Sequence, residues 1–549
     1  MGGVINLITQ RPYEPFAGSL QTRYGTHGDL TVDGSAGLKR GNAELSLTAT
    51  RMASNGYDFT PATRGHTAPP YRNYTLQPKL TYAWGEGTRL TLSGRIFQED
   101  QRDEANYIAA PDTVPARERT LLTDAGLSST FERAFSPGLS WTLKGYATRY
   151  EKTSRLRDEQ ADSALPGTSF DQRLYKAETF VKMQGGAHAL IVGAGGAHER
   201  VGSDYVAGGE HQASSGFAFA QEDWKPLEAF TLQTSVRFDA HQDYEAHLGP
   251  RVAALYRPWS WLGLRASAGN GFKAPTSQEL YLDFTNAQVG YTVFGATGAQ
   301  AGLERLQEQG QIDHTLAGPP LGELKPENSW SFNAGAEVSA GRKASAKVNL
   351  FRNNVTDLIE SAPIAFKTNG QRVYTYFNLN RIHTQGLETE ASYKPFRGLS
   401  LGAGYQFLIA EDDDVLDQIA REAIFKPRDA GPGFRPVQRV EYGGLFNRSR
   451  HTANVKAEFD TGKPGFAASL RGIFHGRYGY ADMNNNGILD ADNEYATGYT
   501  ELNLTLTQRL SRFASMQAGV TNLLDRHAPA PSATLPGRLL YAGIQLQYF

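Results

Sequence analysis

The sequence predicts an all-β chain, a transmembrane antiparallel β-barrel of about 22 strands. Three observations predict it. Apolar and polar residues alternate through many segments, the segments are long, and they recur from about residue 17 to the last residue. Successive side chains of a strand point to opposite faces, so each segment has one apolar side.

Composition agrees. The chain has 549 residues, no cysteine, 58 glycines, 26 tyrosines and 28 phenylalanines, with a mean hydropathy of −0.46. Aromatics are many and the other apolar residues are spread thinly at alternate positions, as in a sheet with one apolar face. Lys plus Arg is 55 against 57 Asp plus Glu. That balance disfavours a nucleic-acid partner held by phosphate contacts. Without cysteine there is no disulfide, thiolate metal site or cysteine nucleophile. No run of eighteen apolar residues forms a transmembrane helix, and no charged n-region with an apolar h-region marks a signal peptide.

The alternating segments come in order. Leu90, Leu92, Gly94 and Ile96 face away from Arg89, Thr91, Ser93 and Arg95. Leu139, Trp141, Leu143, Gly145 and Ala147 form a second face, Ala403, Tyr405, Phe407 and Ile409 a third, and Leu502, Leu504 and Leu506 a fourth. The last strand sets Leu540, Ala542, Ile544, Leu546 and Tyr548 against Tyr541, Gly543, Gln545 and Gln547. Its lipid-facing parity stays open, because Phe549 shares a face with the two glutamines. A soluble sheet with one wet face alternates too, but segments of nine or more residues suit a tilted spanning strand better. Such a sheet must close, since an edge in hydrocarbon leaves backbone groups unpaired.

The connections are uneven. Short turns such as Trp84-Gly85-Glu86-Gly87, Ser136-Pro137-Gly138 and Arg257-Pro258-Trp259 contrast with long polar stretches near 98–120, 151–170, 275–328, 410–440 and 478–498. Short turns on one side and long loops on the other are the outer-membrane arrangement. At roughly 24 residues per strand and connection, the length gives roughly 22 strands, a wall too wide to fill its own lumen.

Several stretches, in this order, resemble the TonB-dependent outer-membrane receptors. Gly2-Gly3-Val4-Ile5-Asn6-Leu7-Ile8-Thr9 resembles the closing strand of that family's N-terminal plug. Gly271-Phe272-Lys273-Ala274-Pro275 with Glu279-Leu280-Tyr281, then Leu324-Lys325-Pro326-Glu327-Asn328-Ser329, resemble mid-barrel signatures. Tyr376-Phe377-Asn378-Leu379-Asn380 with Gly386-Leu387-Glu388, and Val520-Thr521-Asn522-Leu523-Leu524-Asp525 with terminal Phe549, resemble later ones. The resemblance implies a monomer in the outer membrane of a Gram-negative-type bacterium. Its partners would be lipopolysaccharide and other outer-membrane lipid, a small-molecule metal chelate, and TonB acting through the plug. The chain departs from the family at its start. Residues 1–14 read as a plug remnant and 15–549 as the barrel, so a truncated form of a longer receptor is expected.

Candidate sites lie in the long stretches. Tyr107, Tyr281, Phe284, Tyr291 and Phe294 are placed to pack against a bulky chelate, though rings near strand ends also form the interfacial girdle. Arg421, Arg428 and Arg435 suit an anionic siderophore. Heme receptors of the family place a histidine between the mid-barrel signatures. Here that residue is His314, but an asparagine-proline dipeptide is missing before Leu324. Asp482, Asn484, Asn486 and Asp490, with Gly487 at the sixth position, resemble the first part of a calcium loop, or else an ordinary polar turn. Glu411-Asp412-Asp413-Asp414 with Asp417 is a second acidic run, read first as a solvated face. Catalytic constellations are missing: there is no nucleophile elbow, His188, His198 and His211 are scattered, and Gly193-Ala194-Gly195-Gly196 has no lysine or helix for a phosphate loop.

The expected function is therefore non-enzymatic, with no intrinsic cofactor beyond a candidate calcium ion. It is a receptor importing a scarce metal chelate, with a ferric siderophore first and heme or cobalamin as alternatives. A passive pore or a non-functional fragment is the other reading.

Overall fold

The computed structural model describes residues 12–548 apart from 13, 110–111, 287–289, 429–430, 463–464 and 528–534. Its wall is one sheet of 22 strands. The first strand, Phe16–Gly25, pairs with Leu30–Arg40 on one side and with the last strand, Leu539–Tyr548, on the other. Gly18 lies opposite Tyr548 and Gly25 opposite Tyr541. The sheet is thus a closed antiparallel barrel, which is what a sheet in hydrocarbon requires. The expected plug strand falls almost wholly outside the described residues, as does Phe549.

The two-residue rhythm sorts lipid from water. On the last strand Leu540, Ile544, Leu546 and Tyr548 are 47–56% exposed on the outer face. The opposite face is polar and lines the lumen: Tyr541 lies under the Arg23 guanidinium at 5.3 Å and shares a 2.8 Å hydrogen bond with Thr505. This answers the parity question left by the glutamines. Elsewhere the lumenal face carries Asp33 accepting from Thr50 and the Arg95–Asp124 ion pair. Aromatic belts bound the outer face. Trp84, Trp259, Trp261, Tyr393 and Phe396 are exposed near the short turns, and Tyr24, Tyr74, Phe238 and Trp330 near the other end. Tyr74 and Trp84 lie on one strand, Tyr71–Trp84. Ten residues at a rise of ~3.3 Å and a tilt of ~40° span about 25 Å, the height of an outer-membrane apolar band.

Two stretches expected as loops are strand. The 98–120 region is the top of a hairpin formed by Thr88–Ala109 and Asp112–Ser136, and 151–170 the top of one formed by Leu139–Asp158 and Ala164–Gly185. These strands outrun the bilayer, so their upper parts are wet on both faces and lose the apolar rhythm without losing the ladder. Cross-strand polar pairs replace it: Arg119 to Asp100 at 2.9 Å, Arg149 to Asp171 at 2.6 Å, and Ser154 to Glu118 at 2.6 Å. The glycine run at 193–196 lies inside the strand His188–Ser203. A Cβ on Gly193 would stand 2.6 Å from the Phe219 ring, and one on Gly195 2.5 Å from the Phe217 ring, so glycine is what lets these lumenal rings lie flat on the wall.

The long connections fold on themselves. A five-stranded sheet assembles from Asp283–Thr285, Thr292–Phe294, Arg372–Leu379, Leu358–Lys367 and Ile312–Thr315, with the helix Ala299–Glu308 packed on it. It joins the connections 274–326 and 357–381 into one cap, whose core includes Phe294, Leu303, Leu306, Ile364, Val373 and Phe377. Connections 413–450 and 476–498 share a second core of Ile419, Ile424, Val437, Tyr442 and Ile488. Asn522 staples the last connection: its buried amide donates to the carbonyls of Arg526 at 2.6 Å and Gly537 at 3.1 Å.

Candidate functional site

All the folded connections lie at one end of the barrel, the extracellular end by the rule that short turns face the periplasm. Between 413–450 and 476–498 is a cavity of about 800 Å³. Its cationic lining is Lys426, Arg428, Arg448, Arg450 and Arg477, against the carboxylates of Glu441, Asp490 and Asp492. Among the described lining residues, five Lys and Arg against three carboxylates leave an excess of two cations.

The local fold explains who is neutralised. Lys426 donates to the Asp490 carbonyl at 2.7 Å and to Glu441 at 3.4 Å. Arg477 pairs with Asp492 at 2.7 Å and lies over the Tyr495 ring at 4.0 Å. Arg428 and Arg448 reach only main-chain oxygens, those of Phe434 and Asn447. No carboxylate among the described residues pairs with Arg428, Arg448 or Arg450. Outward residues of the strand His451–Asp460 are odd-numbered, with Val455 and Phe459 exposed, and the Leu408 N–H donating to the Arg450 carbonyl carries that ladder one residue further. By strand parity Arg450 continues the lumenal face. In Phe466–His475 the outward residues are Leu470 and Phe474, and Arg477 lies two residues past the end of that strand.

The aromatic candidates gather elsewhere on the mouth. Tyr281 stacks on His211 with centroids 3.8 Å apart, and burial together with Asp243 pushes its hydroxyl up to about 12. Phe284 meets Tyr205 edge-on at 4.8 Å and Tyr291 at 6.0 Å, and Tyr291 in turn meets Tyr374. Tyr107 stands apart, half-buried near the tip of its tall hairpin, opposite Val114.

Four candidates have other duties or stand alone. Phe294 is 1% exposed in the cap core, so it offers no ring to a ligand; position in a loop said nothing about which way the ring faces. Arg435 is held by both oxygens of Glu441 at 2.8 and 2.7 Å, a pairing that brings the Glu441 carboxyl down to about 2. His314 lies on the edge strand of the cap, stacked on Phe366 at 4.9 Å and bonded to Asp313 at 2.9 Å. Arg421 is the exposed residue after the helix Asp413–Ala420.

The acidic run is occupied by structure. Asp412 caps that helix through the N–H groups of Asp414 and Val415, Asp414 and Asp417 hold Arg381, Asp413 holds His383, and Glu411 holds Arg439. In the calcium-like loop Asp482 accepts from the N–H of Gly487 at 2.7 Å, while the Asn484 and Asn486 amides donate to Asp490 at 2.7 and 2.9 Å. The buried Glu494 accepts from the N–H groups of Met483, Asp490 and Ala491. Among the described residues no group of three or more His, Cys, Asp or Glu is placed to hold a metal ion.

The chemistry available is capture of an anion: guanidinium groups with no carboxylate partner among the described residues at a wet mouth, with rings on a nearby connection a few wall strands away. Sequence reasoning missed Arg448, Arg450 and Arg477. The only signal was Arg448-Ser449-Arg450-His451 at the start of a strand, two arginines of one parity.

A lipid-facing barrel whose extracellular loops fold over a cationic mouth defines an outer-membrane receptor. Residues 18–523 match the family described as TonB dependent receptor-like, beta-barrel, and the chain belongs to that family. It is 20% identical over 552 residues to the iron-regulated outer membrane virulence protein of Vibrio cholerae, covering 96% of this chain and 73% of that protein. Its fold is similar to that of the siderophore receptor PirA from Pseudomonas aeruginosa, with a TM-score of 0.70, 15% identity and coverage of 100% of this chain and 83% of that one. It is also similar to the ferric enterobactin receptor PfeA of Pseudomonas aeruginosa in complex with enterobactin, with a TM-score of 0.73, 15% identity and the same coverage.

Proposed function

We propose that this outer-membrane receptor captures an anionic ferric siderophore at its mouth and imports it with energy drawn through TonB. The observation that carries the choice of ligand is the triad of Arg428, Arg448 and Arg450, which have no carboxylate partner among the described residues and line a cavity of about 800 Å³. Guanidinium groups are weakly hydrated, present planar forks and bind multivalent oxyanions well. A ferric tris-catecholate carries three negative charges, a neutral ferric hydroxamate none, so the mouth favours the first. The relatives named above, with iron regulation or siderophores in their descriptions, support iron as the cargo.

Heme is the weaker reading, because His314 sits on the cap's outer edge strand, stacked against Phe366 and bonded to Asp313 rather than grouped with the arginines. TonB would act on an N-terminal plug, as the resemblance implies. The test is uptake of radioactive iron by cells expressing the protein, with and without TonB, supplied as a trianionic or a neutral chelate. TonB-dependent uptake of the trianionic form is expected. Equal, TonB-independent entry of both forms would make the barrel a passive pore.

A further inference from the structure

The two mid-barrel signatures and the later one at 376–380, distant in sequence, meet at one place in the fold. Lys273 ends the strand Leu262–Lys273, and Glu327 begins its partner, Glu327–Ala340; the two are paired residues of the ladder. The Lys273 ammonium donates to Glu327 at 2.8 Å and to Glu279 at 3.2 Å. Each carboxylate makes a second bond into the cap. The same oxygen of Glu327 accepts the Ile359 N–H at 3.2 Å, and the other oxygen of Glu279 accepts the Thr276 N–H at 2.7 Å, closing a capping box on the short helix Ser277–Tyr281. Beside them Asn378 clasps both connections: its oxygen accepts the Lys325 N–H at 2.7 Å, and its amide donates to the carbonyls of Lys325 at 2.8 Å and Asp357 at 2.7 Å. Leu280, Ala296, Leu324 and Ile359 pack underneath.

Charge makes Lys273 the keystone. The Glu327 side chain is 10% exposed and that of Glu279 14%, and Lys273 is the cation that pairs with each of them. Glu360 lies close enough that burial, then Asp412 and Glu327, push its carboxyl up. A buried carboxylate without its cation is costly, so removing one ammonium loosens the whole junction.

We propose that Lys273 is a positioning residue, the ionic joint that pins the folded cap of connections 274–326 and 357–381 to the barrel rim. It thereby sets where Tyr281, Phe284 and Tyr291 stand over the mouth. The cap carries its own hydrophobic core away from the joint, so it can stay folded while its seat on the rim loosens. Its consequence for ligand capture rests on the receptor reading given above; the joint itself does not.

The test is hydrogen exchange on the full chain in detergent, comparing Lys273→Met, Lys273→Arg and Glu279→Gln, with heat-modifiable gel migration as the check on the barrel. In Lys273→Met, exchange at Ile359 and across 276–282 should speed at least tenfold, while Val373–Phe377 in the cap core and the wall strands hold their wild-type rates. Lys273→Arg should restore the junction. Glu279→Gln keeps a capping oxygen and removes one ion pair, so it should give a smaller increase confined to 276–282. Unchanged exchange at the junction in Lys273→Met would overturn the joint, and so would equal acceleration of junction and cap core. Binding of a ferric tris-catecholate then separates the two claims. If the wild type binds it, slower association in Lys273→Met supports the positioning role and unchanged association refutes it. If the wild type does not bind it, the ligand reading fails while the exchange rates still decide the joint.

Discussion

Replacing Arg428, Arg448 and Arg450 together by glutamine should weaken binding of a trianionic ferric chelate about 20-fold at physiological salt. The size follows from the cavity. A volume of about 800 Å³ corresponds to a sphere of radius about 6 Å. Its lining guanidinium groups then lie ~8 Å from a centred ligand. In water one pair of unit charges at that distance is worth about 0.5 kcal/mol. Screening over a Debye length of ~8 Å reduces it to about 0.2 kcal/mol. Three arginines and a trianion make roughly nine such pairs, about 1.7 kcal/mol, or ~20-fold in affinity. At 0.5 M salt the Debye length is ~4 Å and the same substitution should cost only ~3-fold. The assay is titration of the purified receptor with a ferric tris-catecholate and with a neutral ferric trihydroxamate at both salt concentrations. Equal losses for the two chelates, or a loss for the trianion that salt does not reduce, would refute an electrostatic mouth. A loss far above 20-fold would mean direct, hydrogen-bonded contact.

Further expectations concern the wall and the loops. Ile544→Arg places a charge near mid-bilayer on the lipid face and should cost ~2–4 kcal/mol in denaturant unfolding from liposomes, whereas Gln545→Arg, on the lumenal face, should cost little. The Glu441 carboxyl falls from its ordinary 4.5 to about 2 because Arg435 and the Gln438 N–H favour its charged form. Its stabilisation of the 413–450 connection is therefore complete above about pH 4.5, declines below it and is gone below about pH 2. Hydrogen exchange at 425–441 should accelerate between pH 5 and pH 3, and less so in Glu441→Gln. For the calcium-like loop, whose polar groups bond one another, millimolar calcium added after chelation should leave the melting temperature of the wild type unchanged, and a rise that Asp482→Ala abolishes would refute this. A wild type indifferent to calcium would leave Asp482, Asn484, Asn486 and Asp490 as a turn that satisfies its own hydrogen bonds.

The wall was legible because two solvents, one on each face, write a period of two into the strand, and closure follows from the cost of an edge. That signal stops where the bilayer stops. Residues 98–120 and 151–170 are ladder without lipid, and polarity on both faces made them look like loops. Site residues were harder because a loop side chain has no periodic reference. Phe294 and Phe284 are ten residues apart in the same connection, yet one is a core residue and the other is half-buried and meets Tyr205 edge-on. The arginines divide by partner rather than by position. Arg435 is spent on Glu441, six residues further on, whereas Arg428 meets only a main-chain carbonyl among the described residues. The signatures were visible as strings, but their convergence on Lys273 was not, because it joins stretches on three different strands and loops.

The distribution of burial has a functional consequence. The largest fully buried side chains, Phe294, Leu489, Glu494, Val373, Asn522, Thr292 and Thr375, all lie outside the wall strands. The wall is held by its ladder and by lipid on one face, with no interior of its own, while the hydrophobic cores belong to the extracellular connections. Stability of the wall and shape of the mouth are therefore set by different residues. A substitution among Arg428, Arg448 and Arg450 touches neither a wall hydrogen bond between side chains nor a buried core, so ligand preference can change without endangering the barrel. Residues at the junction lack that freedom: Lys273, Glu279 and Glu327 bond across the boundary between wall and cap, and Asn378 ties the two connections of the cap to each other. Random substitution of the mouth arginines should yield barrels that assemble normally and differ in chelate affinity. The same treatment of the junction should change affinity for every chelate at once, because it displaces the rings together rather than altering one charge.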